Sequence, residues 1–267
     1  MQLQELTGYD LGSKTLEYEE RDSILYALAV GADTEQLDLV YERELRALPC
    51  YACALGLWAV EAAGELGAYD RNRSLHASQS LIMHKAMPVK GPINTSARIA
   101  NVWDKGKAAV VEIEVDSDIF TASYSIFLPG LGGWGGERGP ASASTDTRPE
   151  YNWNVSYTSM ANHATLYRLT GDQHPIHIDV EVARANGFDK PILHGLCTLG
   201  IVVRELASAC HAHPADLLSL EARLAAPVMP GDTIAVAAHT GDKGEIMFEA
   251  SVNGTTVLKA GKASFSV

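Results

Sequence analysis

No run of about 18 apolar residues occurs in the chain, so nothing in it reads as a membrane-spanning helix. The opening Met-Gln-Leu-Gln-Glu-Leu lacks the basic and apolar regions of a secretory leader, and the closing Ser-Phe-Ser-Val is not a Ser-Lys-Leu peroxisomal address. Both absences lead to the expectation of a cytoplasmic protein. Basic residues are in deficit, with 21 Lys and Arg against 33 Asp and Glu and a formal charge of −12. Such a chain repels a phosphate backbone, which argues against a nucleic-acid partner. Cysteine is scarce. Cys50 and Cys53 form a CxxC pair, but Cys197 and Cys210 supply no second pair at zinc-finger spacing. The first pair opens an Ala- and Leu-rich segment, so the reading is of small buried residues and a reducing compartment.

What remains is an ordinary globular composition: 267 residues, 46% hydrophobic and 20% charged. A local basic patch for a small anion is still available from Lys85, Lys90, Lys105, Lys107, Arg168, Arg184, Lys190 and Arg223.

Between Pro129 and Arg148 the composition shifts to Gly, Ser, Pro and Thr, too Gly-rich for a helix or a regular strand. The expected organisation is an N-terminal repeat over 1–130, a linker over 131–150 and a C-terminal repeat over 151–267. Residues 23–31 parallel 164–171, and 48–57 parallel 191–200. Residues 87–93 parallel 227–234, and each is followed by a strand, Asp-Lys-Gly (104–106 and 242–244) and another strand. Four matches in the same order indicate a duplication.

Periodicity gives the elements. Met160, Ala164 and Tyr167 share a helix face, with Gly171 where a C-terminal cap belongs. Leu196, Leu199, Val203, Leu206 and Cys210 mark one face of a second helix. Val111, Ile113 and Val115 alternate with Glu112 and Glu114, as Ile246, Phe248, Ala250 and Val252 alternate with their neighbours. Asp-Lys-Gly between such strands is a hairpin turn. The expectation is α+β architecture with antiparallel sheets packed on helices.

The chemistry concentrates at 167–200. Asp172 and His177 stand five residues apart on a Pro-bent turn after a helix, and His194-Gly195 opens another helix. A carboxylate, an imidazole and a helix N-terminus suit proton transfer beside a carbonyl. Taken singly, Asp172 also reads as a capping residue and His177 as a partly buried polar one.

Thr-Gly-Asp-Gln-His-Pro-Ile-His-Ile-Asp (170–179) followed by Pro-Ile-Leu-His-Gly-Leu (191–196) resembles the signature of the MaoC-like, type 2 enoyl-CoA hydratases. The duplicated layout, with Trp103-Asp-Lys-Gly-Lys107 and the Gly-Gly-Trp-Gly-Gly segment, is similar to the hydratase unit of peroxisomal multifunctional enzymes. The resemblance implies a double hot-dog fold, two antiparallel sheets each wrapped around a central helix to form a pseudo-dimer. It implies addition of water across a trans-2-enoyl-CoA to give the (3R)-3-hydroxyacyl-CoA, or the reverse, with CoA as part of the substrate, no cofactor and no metal. On this reading His177 is the base, Asp172 orients the water, and the Gly195 amide stabilises the thioester oxyanion. His174 departs from the family pattern, which has Asn at this position, and is carried as a candidate catalytic residue. His174-Pro-Ile-His177 beside Asp172 and Asp179 also admits a metal reading, although the loop lacks helical ligand spacing.

The first half runs Gly31-Ala-Asp-Thr-Glu-Gln where the second has its Asp and His, so it is expected to shape the acyl pocket. Leu75-His-Ala-Ser-Gln resembles the family's substrate-contacting Leu-His-Gly-x-Gln, making His76 and Ala77 candidate substrate contacts. Lys105 is a candidate CoA-phosphate partner. His194, as a pocket wall or structural hydrogen-bonding group, and Leu224 complete the candidate substrate residues. The expected assembly is a homodimer. An acyl-carrier-protein dehydratase and a non-catalytic acyl-CoA-binding subunit remain as alternatives, and a thioesterase fits the Asp/His spacing poorly.

Overall fold

The computed structural model describes residues 2–140, 150–241 and 244–266. The alternating segments form strands. In β4 (Ala108–Asp116) Val111, Ile113 and Val115 are buried while Glu112 and Glu114 lie on the wetter face. β9 (Ile246–Val252) repeats this with Ile246, Phe248, Ala250 and Val252 inward. The other strands of the first half are β1 (Asp10–Leu16), β2 (Leu75–Met83), β3 (Ile93–Asp104) and β5 (Phe120–Pro129). Those of the second are β6 (Trp153–Thr158), β7 (Leu217–Leu224), β8 (Thr233–Thr240) and β10 (Thr255–Phe265).

All ten belong to one sheet in the order β1-β3-β4-β5-β2-β7-β10-β9-β8-β6. Within each half the order is the same: first strand, third, fourth, fifth, second. The second half reads it backwards, as a pseudo-two-fold axis between β2 and β7 requires. The two expected sheets are therefore joined edge to edge. The seam is antiparallel and pairs Ser78–Ile82 with Arg223–Ser219.

Helices pack against the sheet. The first half has α1 (Glu20–Ala29), α2 (Leu37–Val40), α3 (Tyr51–Leu55) and α4 (Leu57–Glu65). The second has α5 (His163–Tyr167), α6 (Val180–Ala185) and α7 (Gly195–Ala209). α7 is an unbroken 15-residue helix. The sequence pattern marks one apolar face of it, but Cys197, Thr198, Gly200, Ile201, Val202, Arg204 and Ala207 are buried as well. A central helix between two sheet halves has core on most of its circumference. Its counterpart is broken at Gly56. The Tyr124 hydroxyl donates to the Cys53 carbonyl at 2.7 Å, and a Cβ on Gly56 would lie 2.3 Å from that oxygen. A side chain reaching into the helix ladder in this way kinks it. No helix among the described residues is long and apolar enough to cross a membrane.

The Gly-rich stretch is pinned where it is described. The Asp104 carboxylate accepts amide hydrogens from Gly106, Gly133, Gly135 and Gly136 at 2.8–3.3 Å. These four amides hold its carboxyl below the usual carboxylate range. Gly139 packs so close to Trp103 that a Cβ there would come within 2.4 Å of the indole. Residues 131–140 thus form a clasp on the β3–β4 hairpin rather than a free tether. The remainder of the expected linker, 141–149, lies outside the described residues, as do Asp242 and Lys243 of the second Asp-Lys-Gly turn.

Candidate active site

The segment that carries Asp172 and His177 is built from turns. α5 passes into a 3-10 turn over Arg168–Thr170 and stops at Gly171, whose φ of +137° turns the chain out of the helix. Asp172 follows, its Oδ1 accepting the His174 amide at 3.2 Å. A second 3-10 turn, Pro175–His177, has Pro175 in its first position, where the missing N–H costs nothing. The chain then runs through α6, capped by Asp179, and returns along 191–193 to the start of α7.

This route brings Asp172, His177 and His194 together, with one oxygen or nitrogen from each lying within 4.8 Å of the others. His177 Nδ1 lies 2.9 Å from the Ile192 carbonyl. A carbonyl can only accept, so Nδ1 carries the proton and Nε2 is left with its lone pair. Burial lowers the His177 pKa, against the opposing pull of the Asp172 carboxylate and the Ile192 carbonyl, and His174 lowers it further. The ring is thus neutral at neutral pH, as a general base must be. His194 Nε2 lies 3.1 Å from the Asp172 main-chain carbonyl, and its ring stacks on His177 with centroids 3.7 Å apart and planes at 25°.

Gly195 is the first residue of α7, so its amide has no partner within the helix. Leu224 lies against it: a Cβ on Gly195 would meet Leu224 Cδ2 at 2.0 Å. His76 reaches the same region from the first half. Its pKa is lowered by burial, with the Ser78 carbonyl and the Asp172 carboxylate pulling the other way. Its Nε2 sits 3.1 Å from the Ser78 carbonyl. Ala77 is the extra residue of a bulge in β2, between the pairs His76–Ile126 and Ser78–Ser125, and bulges re-aim their neighbours.

Three of the candidate residues have other partners. His174 is exposed and its Nδ1 accepts the Ile176 amide at 3.3 Å, so it caps the 3-10 turn. Its ring centroid is 6.2 Å from that of His177. His194, expected as a pocket wall or a structural hydrogen-bonding group, takes the second of these places: 1% of the residue is exposed and its Nε2 bonds the Asp172 carbonyl. Lys105, the candidate CoA-phosphate partner, spends its ammonium on the Arg138 carbonyl and, at 3.3 Å, on that of Pro140. Several other candidate cations are also paired: Lys85 with Asp118, Lys90 with Glu20 and Arg184 with Glu181.

Asp172, His177 and His194 have the composition of a metal site, but stacked imidazoles aim their in-plane lone pairs along near-parallel planes rather than at one point. Asp179 is spent on the Glu181 and Val182 amides. Sequence reading missed Tyr167, whose ring lies 4.8 Å from His194, and the Ile192 carbonyl that fixes the His177 tautomer. The Tyr-Arg-Leu-Thr-Gly-Asp run put Tyr167 in view without showing its stacking. A main-chain carbonyl leaves no mark in a sequence.

Known proteins agree with this layout. The family described as "MaoC like domain" matches residues 141–262, and "MFE-2 hydratase 2 N-terminal domain" matches 16–128. The chain is 33% identical over 262 residues to 3-hydroxyacyl-thioester dehydratase Y of Mycobacterium tuberculosis, covering 91% of this chain and 89% of that protein. It is 34% identical over 274 residues to the probable enoyl-CoA hydratase 2 of Dictyostelium discoideum, covering 94% and 92%. The crystal structure of a MaoC-like dehydratase from Phytophthora capsici superimposes with a TM-score of 0.88 at 24% identity, over 98% and 97% of the two chains. A Mycobacterium tuberculosis protein described as a double hot-dog superimposes at 0.62 with 15% identity, over 99% and 98%. With matching models on both halves and relatives at this identity along nearly their whole length, the chain belongs to the MaoC-like, type 2 enoyl-CoA hydratase family.

Proposed function

We propose that this hydro-lyase adds water reversibly across the double bond of a 2-enoyl-CoA to give the 3-hydroxyacyl-CoA, with 3R configuration. The observation that carries the reading is the neutral His177, its Nε2 lone pair free, clustered with the Asp172 carboxylate. A water between them gives one proton to Nε2 as its oxygen attacks the β-carbon. The resulting imidazolium is stabilised by Asp172, which also orients the water. Charge moves to the thioester oxygen, where the unpaired Gly195 amide would meet it; one such donor is typically worth about 3 kcal/mol. The proton returns to the α-carbon by way of Asp172, so water is consumed whole and nothing is oxidised or reduced.

His76 and the bulge at Ala77 lie on the first-half side of the site, and Leu224 lies against the Gly195 backbone, consistent with thioester contacts. The reaction as written uses no cofactor or metal. We place the enzyme in the cytoplasm and take its assembly to be a homodimer.

The test is to follow loss of the conjugated absorbance of crotonyl-CoA and of longer and branched enoyl-CoAs, with chiral analysis of the product. Turnover abolished by Asp172→Asn and His177→Ala supports the reading. No turnover on any enoyl-CoA sinks it.

A further inference from the structure

One buried residue touches every part of the proposed site. His194 donates from Nε2 to the main-chain carbonyl of Asp172 at 3.1 Å, tying down the turn that carries the carboxylate. Its ring stacks on that of His177 at 3.7 Å. Its own carbonyl accepts from the Thr198 amide at 3.0 Å and the Thr198 hydroxyl at 3.3 Å, which seats the first turn of α7 and with it Gly195. Tyr167 packs on it from α5, and the residue is 1% exposed.

We infer that His194 is a positioning residue for hydration, which sets the separation of Asp172, His177 and the Gly195 amide without touching substrate. The inference rests on the hydratase reading and adds a role to it. A base and a water-orienting group must be held to about half an ångström, and a misplacement of about 1 Å costs on the order of a hundredfold in rate. A side chain bonded to one partner, stacked on the second and preceding the third in sequence supplies that rigidity.

The chemistry of the ring suits the task. With Nε2–H donating, Nδ1 is a bare lone pair, and it is buried without a partner. The groups facing the ring are His177, Asp172 and Arg168. Burial, then His177, pushes its pKa down to about 3, against Asp172, while Arg168 lowers it further. His194 therefore stays uncharged next to the base and does not compete with it for the proton.

The experiment compares His194→Phe, which keeps a ring against His177 but cannot donate, with His194→Asn, which can donate but cannot stack. Steady-state hydration is measured alongside binding of a saturated acyl-CoA, with melting curves to establish folding. The expected result for both is a fall in kcat of about 10- to 100-fold, with KM and the saturated acyl-CoA Kd within about threefold of wild type. Unchanged kcat overturns the inference, as does a loss carried entirely by KM and Kd, which would make His194 a substrate contact. Should neither variant fold, 15N NMR of the wild-type histidines still decides. A neutral Nε2–H tautomer at pH 6 is expected, and an Nδ1–H tautomer or an imidazolium overturns the inference. A wild-type enzyme with no hydratase activity fails at the earlier step and is distinguishable from an active enzyme whose variants are unaffected.

Discussion

The two halves share a strand order but differ at the start of their central helices. α7 is entered through Leu193-His194-Gly195, where the aligned stretch of the first half has Cys50-Tyr51-Ala52, so Tyr51 stands in the place of His194 and Ala52 in that of Gly195. In the second half an imidazole stacks on His177 and precedes the first amide of α7, that of Gly195. In the first, the Tyr51 ring stacks on Tyr26 at 4.8 Å, and the Cys50 thiol, pushed up to about 12 by burial, is chemically inert at neutral pH. The loop that carries Asp172 and His177 in one half corresponds to a loop in the other that is tied across to its neighbour. Asp38 lies 2.9 Å from His213, and Arg46 lies 2.5 Å from Asp216. One helix start borders the candidate site and the other is a packing joint. Chemistry requires unsatisfied groups, and packing consumes them.

The sharpest way to break this comparison is to mutate both helix starts and both loops. His177→Ala and Asp172→Asn are each expected to lower kcat by about 10²- to 10⁴-fold, whereas Cys50→Ala leaves hydration within about threefold. A large catalytic loss in Cys50→Ala would mean that the first half retains a share of the chemistry.

Next in size is Gly195→Ala. The new methyl would lie 2.0 Å from Leu224 Cδ2, so either the Leu224 side chain swings away or the start of α7 shifts and carries the amide with it. A loss of about 10²-fold in kcat is expected, partly restored by adding Leu224→Ala. Failure of that rescue would separate the Gly195 amide from the Leu224 contact.

Acid should act on the second half. His163, pushed down to about 4 by burial and by Arg204, and His194, pushed down to about 3, are both neutral when folded. Above pH 6.5 they are neutral in the unfolded chain too and contribute no pH dependence. As pH falls from 6.5 towards 4 the unfolded chain takes up protons that the folded one refuses, so stability drops. Each such histidine removes up to about 1.4 kcal/mol for every pH unit travelled through that window. Melting temperatures between pH 7 and pH 4.5 should fall less steeply in His163→Phe than in wild type. The acid limb of kcat/KM should lie below the ordinary imidazole range, following the lowered pKa of His177.

The smallest effect is expected from His174→Asn. Both residues can cap the turn through a side-chain acceptor, so kcat, KM and the melting temperature should stay close to wild type. A clear change in the pH profile would return His174 to the reacting groups.

Local features were legible in the sequence. The Asp172–His177 spacing, the His194-Gly195 helix start and the alternation in β4 and β9 all depend on neighbours a few residues apart. What could not be read there arises where distant segments meet. Gly-rich residues 131–140 read as a tether because nothing local marks Asp104 as the acceptor for three of their amides. The break in the first central helix comes from Tyr124, 71 residues beyond the Cys53 carbonyl it binds. Lys105 looked free because carbonyl partners are invisible in a sequence. His174 looked chemical because it is the one departure from a familiar pattern, yet its ring turned to its own backbone.

The seam between β2 and β7 has a last consequence. When two identical chains pair about a true two-fold axis, any substitution appears in both copies and alters both sites together. Here the facing residues are Ser78 with Arg223, Gln79 with Ala222, Ser80 with Glu221, Leu81 with Leu220 and Ile82 with Ser219. A true two-fold axis would give both edges one sequence, whereas β2 runs Ser78-Gln-Ser-Leu-Ile82 and β7 runs Ser219-Leu-Glu-Ala-Arg223. The seam therefore joins two unlike edges while keeping the antiparallel pairing of a two-fold. Within one chain the repeats no longer share a sequence, so a substitution at the start of α7 leaves the start of α3 as it was.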